Sequence, residues 1–496
     1  MRAGNAAKGA CWVAALGLNL RHTAGTWQLA RTLIWLHAGR HGEPAMEDRR
    51  PPPVDVVIPV LREQHHVAAA LAWWKPLVTA FPGLSVTIVS TDREERERDR
   101  LALAVCAGSH ITHGALPQLS PDEATDLEQA RIEAGGRLPH EVATKILSRT
   151  PLTSEVVAEL MTGESSGRIH HVTYPGAGRK AGQVNHAARA LPPGGYVAVY
   201  DVDSRPDAEL LNATYKLLAA DHPVVQQHAL HIALRREHDC GVKGLVQGSA
   251  TLQSIWTLRR EIPYARRYHA RAQRSGARGR VWAGLSQPVG HGLFLRRDIV
   301  EEIGGFPETT VLDDVPAGVP LSLRGIPVVT LPHLTVVPAP ESVTEVVAQG
   351  RRWFCSYLDY PAVLRDMAHA GTGSPSERGL LRIIAAYRGL AWLVAGPLTA
   401  VTLATALCPR SGSHLRATAS AGILLATVVP VVMSARVRPG PHSARAIGRD
   451  AAELLAAYLL RSLGPWLAVA DAVRGRHPNS VSFPAPKTHR RPGGAS

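Results

Sequence analysis

Short apolar segments and helix-like segments alternate along the chain from residue 54 onward. Val54–Val60 and Leu84–Ser90 are apolar and rich in β-branched residues, which predicts two strands with a helix-like segment between them. Further strands are predicted at Tyr196–Tyr200 and within Gly325–Leu331. Short apolar strands that alternate with helices are typical of an α/β fold with a mixed, mostly parallel sheet.

Two modest apolar segments precede this region. No convincing cleavage site follows the first, Ala10–Leu20, so we do not expect a secretory signal peptide. The second, Trp27–Ala38, predicts an amphipathic helix on a membrane surface or on the protein's own core. The prolines of the linker Glu47–Pro53 cannot continue a helix. Residues 1–53 are therefore predicted to be an N-terminal interfacial segment with a linker, and the main domain to occupy residues 54–375. Within that domain, residues from about 93 to 168 are predicted to be a long polar, helical insertion.

The C-terminal part contains two long segments without charged residues. Gly389–Cys408 spans 20 residues, about 30 Å as a helix, which matches the hydrocarbon core of a bilayer. Ala417–Ala435 is similar, and only Pro409–Arg416 separates the two. This pattern predicts a transmembrane helical hairpin, with two buried helices of a large core as the alternative. More arginines follow the second segment than occupy the short loop, which favours a cytoplasmic main domain.

Ala451–Val473 is apolar but carries Glu453, Arg461 and Asp471, so an interfacial helix is predicted there. Residues 376–475 are thus expected to form a membrane region. Residues 476–496 are rich in Pro, Gly, Arg and His, which predicts a disordered tail.

The charge balance narrows the class of partner. The formal net charge is +14, which suits an anionic partner such as lipid head groups or nucleotide phosphates. We expect no nucleic-acid partner, because no DNA- or RNA-binding signature is present and the arginines are spread along the chain. The five cysteines are scattered and lack CxxC spacing, which favours a reducing compartment.

Two aspartates, Asp201 and Asp203, directly follow the predicted strand Tyr196–Tyr200. In open α/β sheets, ligands bind beyond the carboxyl ends of strands. Two close carboxylates repel each other unless a cation lies between them, and Mg²⁺ or Mn²⁺ with oxygen ligands suits such a pair and a diphosphate. Helix caps and turns are the alternative explanation for acids at this position.

A second acidic pair, Asp313 and Asp314, lies about 110 residues further along the chain. A neighbouring acid raises the pKa of a carboxyl group, and a general base that deprotonates a hydroxyl needs such a raised pKa. The alternative is that one of these residues caps a helix that begins near Val315.

The amphipathic segment Ser342–Tyr357 carries Gln349, Arg352 and Trp353. A Trp ring can stack on a sugar and an Arg can bind phosphate oxygens. The alternative is an interfacial helix that presents Arg to lipid head groups and Trp to the acyl boundary.

Taken together and in this order, the motifs resemble glycosyltransferase family 2. The matching elements are Val54–Glu63 with Pro59 and Glu63 in a Pro-x-x-x-Glu turn, Ile88–Asp92, Gly178–Asn185 with Lys180 and Asn185, the DxD of Asp201 and Asp203, Gly290-His291-Gly292, and Asp313-Asp314. Gln349, Arg352 and Trp353 are similar to the Gln-x-x-Arg-Trp motif of the cellulose- and hyaluronan-synthase-like branch. The resemblance covers about Val54–Tyr360.

The resemblance implies a GT-A fold and an inverting transfer from a nucleotide sugar. Asp314, beside Asp313, would be the general base. Donor-binding roles fall to Pro59, Glu63, Asp92, Lys180, Asn185, Asp201, Asp203 and Arg352, with the metal on Asp203 and Asp201. The sugar and acceptor pocket would contain His291, Gly292, Gln349 and Trp353. Because UDP-sugars are common donors in this family, the resemblance favours a UDP-sugar donor.

The chain departs from the family pattern in places that affect the expected substrate. Thr91-Asp92-Arg93-Glu94 replaces the usual Asp-Asp-Gly-Ser, which bears on selection of the base, and Asp-Asp replaces the commoner Glu-Asp. Two predicted spans are fewer than a polymer channel needs. We therefore expect transfer of one or a few sugars to a lipid-linked or saccharide acceptor, by an integral protein whose catalytic domain lies in the cytoplasm.

Other functions remain open at the level of sequence. A nucleotidyltransferase also uses a strand-end acid pair with Mg²⁺, and a glycoside hydrolase also uses two carboxylates. A non-enzymatic alternative is an inactive, membrane-tethered protein that binds glycans or acts as a scaffold.

Overall fold

The computed structural model describes residues 2–41, 51–107, 121–164, 166–176, 178–233, 242–275, 284–438 and 443–476 of the 496-residue chain. The chain divides into two compact units. The strand-rich unit comprises Pro52–Ser204 and Phe294–Glu308. The helix-rich unit comprises Met1–Pro51, Arg205–Leu293 and Thr309–Ser496.

Strands occur in both units. They are β1 (Val54–Pro59), β2 (Leu84–Thr91), β3 (Ile169–Tyr174), β4 (Tyr196–Val199), β5 (Val224–Ile232), β6 (Leu293–Arg296) and β7 (Val329–Pro338). In the strand-rich unit the strand order is β3-β2-β1-β4-β6, and the pairs β3–β2, β2–β1 and β1–β4 are parallel. In the helix-rich unit β5 and β7 pair in parallel, with an irregular register between Gln226 and His228.

Helices make up most of the remaining described residues. They are α1 (Arg2–His41), α2 (Gln64–Ala80), α3 (Arg93–Cys106), α4 (Pro121–Glu133), α5 (His140–Leu147), α6 (Thr153–Met161), α7 (Lys180–Ala188), α8 (Ala208–Ala219), α9 (Val242–Trp256), α10 (Ile262–Ser275), α11 (Arg297–Glu302), α12 (Asp314–Arg324), α13 (Val343–His369), α14 (Pro375–Leu393), α15 (Ala395–Leu407), α16 (Ser413–Ala426), α17 (Val428–Ser434), α18 (Ala444–Leu460) and α19 (Leu463–Val473). A π-helical turn, Thr257–Glu261, joins α9 to α10.

The prediction of an α/β fold with mostly parallel strands is confirmed, and this architecture fits a GT-A fold. The four strands predicted from apolar segments correspond to β1, β2, β4 and β7. The side chains of β1 and β4 are buried on both faces, as expected for central strands of a parallel sheet.

Strand β5 was not predicted because its sequence contains polar residues at buried positions. Gln226, Gln227 and His228 are all buried in it. Gln227 donates from Nε2 to Thr214 Oγ1 at 2.8 Å, and Gln226 donates to the carbonyl of His291 at 3.0 Å. These amides form hydrogen bonds inside the helix-rich unit, so their burial is tolerated. The sequence of β5 therefore lacks the continuous apolar pattern by which a buried strand is recognised. The short strand β6 and the histidine-containing β3 were also missed.

The predicted polar insertion, from about 93 to 168, is helical in its described residues. It contains α3 to α6. These helices share a small apolar core made of Leu101, Ala102, Val105, Leu127, Leu138, Ala143, Ile146 and Leu147. The insertion therefore has a core of its own within the strand-rich unit.

Helix α1 is one helix of 40 residues, where two separate apolar segments were expected. A helix of that length extends about 60 Å. It packs within the helix-rich unit: Leu29 and Leu36 are buried there, and Asn19 donates from Nδ2 to the carbonyl of Thr418 at 2.8 Å. The second half of the helix, predicted as amphipathic at Trp27–Ala38, thus has one side on the core, while Trp27 and Ile34 remain exposed.

The helices of the predicted membrane region break shortly before proline residues. The span expected at Gly389–Cys408 is divided between α14 and α15, which meet at 43°, and the segment expected to be one interfacial helix, Ala451–Val473, is divided between α18 and α19. The physical cause is proline, which lacks an N–H and clashes with the carbonyl four residues earlier. Pro397, Pro430 and Pro465 each follow such a helix break by two to four residues.

Among the described residues, one segment is long and apolar enough to cross a membrane. It is Ser413–Ser434, with a mean hydropathy of 1.8. A second candidate arises if the bent pair Pro375–Leu393 and Ala395–Leu407 counts as one span. These candidates rest on length and composition only. The predicted tail, 476–496, lies outside the described residues apart from Arg476.

Candidate active site

The predicted acid pair Asp201 and Asp203 lies directly beyond the carboxyl end of β4, in the strand-rich unit. Both residues are exposed. The ammonium group of Lys180 lies 2.9 Å from Asp201 Oδ1. The structure therefore brings together three residues that were predicted for donor binding, and it leaves their charged atoms accessible to a ligand.

Helix α7 places Lys180 at this position. Lys180 is its first residue, and Gln183 on the same helix is buried. Gln183 donates from Nε2 to the carbonyl of Val60, which follows β1, and to that of Val89, which lies near the end of β2. These two bonds fix the first turn of α7 at the carboxyl ends of the parallel strands, where ligands bind in open α/β sheets.

A glycine lets the chain enter α7 close to β2. Gly178 has a φ of +67°, in the left-handed region. A Cβ at this position would lie 2.7 Å from Arg93 Cβ and 2.8 Å from Thr91 Oγ1. Any larger residue would displace the segment that leads to Lys180, so Gly178 is a requirement of this part of the site.

Asp92, the predicted base-contacting residue, follows β2 and occupies the N-cap position of α3 without a side-chain capping bond. Its Oδ2 lies 3.8 Å from Arg96 Nη1. Its side chain is partly exposed, which leaves it accessible at the carboxyl end of β2.

Pro59 and Glu63 lie where β1 ends and α2 begins. Glu63 is buried, and its backbone N–H donates to Thr153 Oγ1 at 3.0 Å. The neighbouring Glu94, also buried, accepts the backbone N–H of Thr153 at 3.0 Å. Sequence reasoning missed Glu94 because it lies in a run of charged residues that predicts an exposed helix face.

Asn185 supports a loop of the strand-rich unit. Its Oδ1 accepts the backbone N–H of Phe306 at 2.7 Å, and its Nδ2 donates to the carbonyl of Phe306 and to Glu308 Oε1, each at 2.9 Å. The family resemblance assigns Asn185 to donor binding, whereas the structure engages its amide with residues 306–308. Glu308 also accepts from Tyr174 Oη at 3.3 Å, and no sequence signal pointed to it.

The second acid pair belongs to the helix-rich unit. Asp314 is the first residue of α12, and its Oδ1 accepts the backbone N–H of Val315 at 2.7 Å. Asp313 is buried in the N-cap position and makes no side-chain capping bond. The capping alternative therefore does not account for Asp313.

Helix α13 holds the loop that carries this acid pair. Asp359 on α13 accepts the backbone N–H of Val311 at 3.0 Å, and Tyr360 donates to the carbonyl of Val315 at 3.4 Å. Tyr360 is buried, which raises the pKa of its hydroxyl, with further contributions from Tyr357 and Asp314. The acid pair is thus fixed by the same helix that carries the predicted Gln-x-x-Arg-Trp motif.

On α13 the side chain of Arg351 forms an ion pair with Asp471 of α19. The Nε–H of Arg352 is buried and finds no hydrogen-bond acceptor among the described residues. Gln349 and Trp353 are partly buried on the same helix. Arg351, whose identity the motif leaves unspecified, therefore links α13 to α19 through its ion pair. Arg352 has an N–H group that can still donate a hydrogen bond to a ligand.

His291 and Gly292 belong to the helix-rich unit and come just before β6 in the sequence. The carbonyl of His291 accepts from Gln226, and the backbone N–H of Gln227 donates to the carbonyl of Gly292 at 2.8 Å. Burial, with a smaller contribution from His291, lowers the pKa values of the nearby His228 and His231 to about 3. These two histidines are therefore neutral at physiological pH.

Glu261 is a titratable residue that the sequence did not reveal. It ends the π-helical turn, and π-helical turns are frequent at functional sites. Burial, with a smaller contribution from the negative charge of Asp314, raises the pKa of its carboxyl to about 7, although a hydrogen bond from Thr257 and the positive charge of Arg461 act in the opposite direction. The Thr257 Oγ1 to Glu261 Oε2 distance is 2.8 Å. Nothing in the sequence distinguishes this residue from other glutamates on Arg-rich helices.

We predict that Glu261 makes the protein less stable as the pH rises. Its pKa in the folded state, about 7, lies above its ordinary value of 4.5, so the folded state holds the proton more tightly. This stabilisation is complete below pH 4.5 and is lost as the pH rises through about 7, with a total of up to about 3 kcal/mol. Thermal unfolding of Glu261→Gln between pH 5 and pH 8 should show a smaller loss of stability than the parent chain. An equal loss in both proteins would contradict the assignment.

The donor set fits a divalent cation that is shared with a ligand. Among the described residues, no group of three or more His, Cys, Asp or Glu side chains is arranged to hold a metal. Two exposed carboxylates, Asp201 and Asp203, fit the usual Mg²⁺ arrangement, in which one or two protein carboxylates and substrate phosphates complete the shell together with water.

The fold and these groups define a class: an α/β protein with charged groups beyond the carboxyl ends of its parallel strands. Residues 196–436 match the family model described as glycosyl transferase family group 2. The matched segment is slightly under half of the chain, and it contains both acid pairs and the Gln-x-x-Arg-Trp motif. This match supports glycosyltransferase family 2 for that segment.

Comparisons with curated proteins and with solved structures add to this match. No curated protein matches the chain. A solved structure to which the chain is similar is the mannosyltransferase PcManGT from Pyrobaculum calidifontis, in complex with GDP-Man and Mn²⁺. The identity is 14%, the alignment covers 94% of this chain and 99% of that one, and the TM-score is 0.43. At these values the likeness does not bear on the function of the present chain.

Proposed function

We propose that the protein is an inverting glycosyltransferase that moves a sugar from a nucleotide-sugar donor to a lipid-linked or saccharide acceptor. The observation that carries the proposal is the group beyond β4, where Lys180 lies 2.9 Å from Asp201 and Asp203 is exposed two residues further on. Support comes from the match of residues 196–436 to a glycosyltransferase family model.

The group beyond β4 has the charges that a nucleoside diphosphate needs. Asp201 and Asp203 would hold Mg²⁺ or Mn²⁺, and Lys180 would contact a phosphate oxygen. When bound, the metal would offset the negative charge that develops on the departing diphosphate. Asp92, at the end of β2, would contact the base. UDP-sugars are the first donors to test.

Asp314 would act as the general base. In an inverting transfer the acceptor hydroxyl attacks the anomeric carbon, and its proton passes to a carboxylate while the bond to the diphosphate breaks. Asp314 is held at the start of α12 by the bond to Val315, and Asp313 lies buried beside it. Arg352, with its free Nε donor, would bind a phosphate or sugar oxygen, and Trp353 and Gln349 would contact the sugar.

Direct binding tests the donor proposal. The full-length chain in detergent would be titrated with UDP, GDP and the matching monophosphates, with Mn²⁺ or with EDTA, in a calorimeter. The proposal requires a diphosphate to bind in a metal-dependent manner and more tightly than the monophosphate. Equal binding with EDTA, or no binding of any nucleotide, would favour a scaffold or glycan-binding protein instead.

Lys180→Gln should weaken binding of the nucleoside diphosphate by roughly 10-fold, because it removes a charge-assisted contact to phosphate. The unfolding temperature should change little, because the Lys180–Asp201 pair is solvent-accessible and such pairs contribute little to stability. Arg189→Gln is a matched control, because it removes the same charge from the residue that follows α7. An equal loss in both variants would point to general electrostatics.

We also propose that the protein is integral to the cytoplasmic membrane, with its catalytic part in the cytoplasm. The support is the apolar segment Ser413–Ser434 and the bent pair that precedes it. After expression in bacteria, the chain should remain in the membrane pellet when membranes are washed with alkaline carbonate. Release by the wash would show that these helices belong to a peripheral or soluble core.

A further inference from the structure

A cavity in the helix-rich unit is lined mainly by basic and aromatic residues. The cavity is small, with a volume of about 20 Å³, is partly open to solvent, and lies among α1, α9, the π-helical turn and α18. The described residues that line it are Arg21, His22, Leu252, Ile255, Trp256, Arg259, Arg260, Tyr458 and Arg461. Four of them are arginines, and none of these described lining residues is acidic. The residues proposed for donor binding and catalysis are not among them.

The position of Arg259 is fixed by α1. Its guanidinium donates to the carbonyl of His22 at 2.7 Å and to Thr26 Oγ1 at 3.2 Å, and it lies 3.2 Å from His22 Nδ1. The close approach requires Gly25, because a Cβ there would lie 2.7 Å from Arg259 Nε. One wall of the cavity is therefore a rigid, buried guanidinium.

Arg461 forms another wall. Its guanidinium lies over the Trp256 ring, 4.3 Å from the centroid, and 5.8 Å from the centroid of Trp392. Trp392 also donates to the carbonyl of Arg461 at 3.0 Å. The Nε of Arg461 is buried and has no hydrogen-bond partner among the described residues. A buried donor without an acceptor carries a desolvation cost that a bound ligand could remove.

Arg21 and Arg260 complete the cluster. Arg21 donates to the carbonyl of Ala391 at 3.1 Å, and Arg260 donates to Tyr264 Oη at 3.3 Å. Each guanidinium carries five N–H donors, so these bonds between described residues use a minor part of their capacity. The cluster can therefore donate several further hydrogen bonds into the cavity.

The charges of the cluster repel one another. Burial and, to a smaller extent, neighbouring arginines lower the pKa values of Arg21, Arg259 and Arg461, although Tyr458 acts in the opposite direction. The resulting pKa of Arg461 is about 10. The pKa of His22 falls well below its ordinary value by burial and through Arg259, so His22 adds no charge at neutral pH. The positive charge of Arg461 lowers the pKa of the Glu261 carboxyl. Because that pKa is still about 7, Glu261 is only partly ionised at neutral pH and offsets the arginine charges only in part. Like charges in a poorly solvated site are costly unless an anion compensates them.

We propose that this arginine cavity binds a phosphate group. Planar guanidinium groups offer paired N–H donors that match phosphate oxygens, and arginines from three separate elements can surround one such group. The aromatic rings of Trp256 and Tyr458 suit a phosphate that is carried by a lipid, since Trp and Tyr are enriched at membrane interfaces. The phosphate could come from a lipid head group or from a soluble molecule. The proposal does not depend on the transfer reaction.

The test compares three probes that differ in one feature each. The full-length chain in detergent would be titrated with inorganic phosphate, with dioctanoyl phosphatidic acid, and with dioctanoyl glycerol, which is the same lipid without its phosphate. The variants Arg461→Gln and Arg21→Gln would be measured beside Arg365→Gln, which removes the same charge from an exposed position of α13. Unfolding temperatures without probe establish that each variant is folded. Arg21→Gln carries the test if Arg461→Gln fails to fold, because among the described residues the Arg21 side chain donates to one backbone carbonyl, that of Ala391.

The proposal expects phosphatidic acid or inorganic phosphate to bind, dioctanoyl glycerol not to bind, and each cavity variant to bind roughly 10-fold more weakly than Arg365→Gln. Tighter binding of phosphatidic acid would assign the site to a lipid phosphate, and equal binding of inorganic phosphate would assign it to a soluble one. The proposal is overturned if neither phosphate probe binds, or if Arg365→Gln weakens binding as much as the cavity variants.

Discussion

Replacing Asp314 with asparagine is expected to lower the rate of sugar transfer by roughly 10²- to 10⁴-fold, which is the usual contribution of a general base. An amide cannot take up the proton of the acceptor hydroxyl. The substitution should preserve the fold, because asparagine Oδ1 can accept the backbone N–H of Val315 as the aspartate does at 2.7 Å. Binding of the nucleoside diphosphate should therefore remain within about two-fold of the parent chain.

The measurement is single-turnover transfer from a radiolabelled donor, beside calorimetric binding of the diphosphate. Asp366→Asn is the matched control, because it removes the same charge from an exposed position of α13. A normal rate for Asp314→Asn would exclude this residue as the base. The corresponding variant of the neighbouring Asp313 would then be the next to measure, since it is buried in the same turn.

Asp203→Asn should weaken Mn²⁺-dependent binding of the nucleoside diphosphate by more than about 100-fold. Even partners outside the first coordination shell typically contribute 10- to 100-fold to metal affinity, and a direct ligand contributes more. Asp201 cannot compensate fully, because it already pairs with Lys180. Titration of Mn²⁺ at a fixed concentration of diphosphate measures the effect.

Asp207→Asn is the matched control for this prediction. Asp207 lies four residues further on and caps α8 through a 2.7 Å bond from the backbone N–H of Leu210. Asparagine caps helices about as well as aspartate, so neither stability nor metal binding should change appreciably. Equal metal dependence in Asp203→Asn and Asp207→Asn would show that the acids beyond β4 hold no metal.

The parallel strands at the centre of the sheet were predictable from sequence because their buried side chains are mostly apolar. β1, β2 and β4 are buried on both faces, so their sequences are continuous apolar segments that end at polar residues. β5 was not predictable, because its buried glutamines are satisfied by partners distant in sequence, such as Thr214 and His291. Only the folded chain shows which polar residues find such partners.

Helix breaks were misjudged for a different reason. The hairpin was predicted from the absence of charge, which measures compatibility with a bilayer but not helix continuity. Pro397 and Pro465 lie within the apolar segments, and the helices break shortly before them. Proline can break a helix but does not always do so, so the sequence alone did not predict these breaks. Pro361 lies within α13, where the helix continues.

The candidate site was predicted in part. Lys180 and Asp201 were expected on the donor side, and they lie in contact. Glu261 and the arginine cavity were not predicted, because they depend on burial and on the convergence of helices that are far apart in sequence. Asn185 was assigned from the family pattern, and the structure shows its amide bonded to Phe306 and Glu308.

The most direct test of the central claim is to identify the phosphorus-containing product. The full-length chain would be incubated with Mn²⁺ and a lipid extract that supplies acceptors, either with a panel of nucleotide sugars or, in parallel, with nucleoside triphosphates and sugar phosphates, and the products separated by ion-exchange chromatography. The account predicts release of a nucleoside diphosphate that requires the metal and disappears in Asp314→Asn. Release of pyrophosphate from a nucleoside triphosphate, with no nucleoside diphosphate from any sugar donor, would contradict it and identify a nucleotidyltransferase.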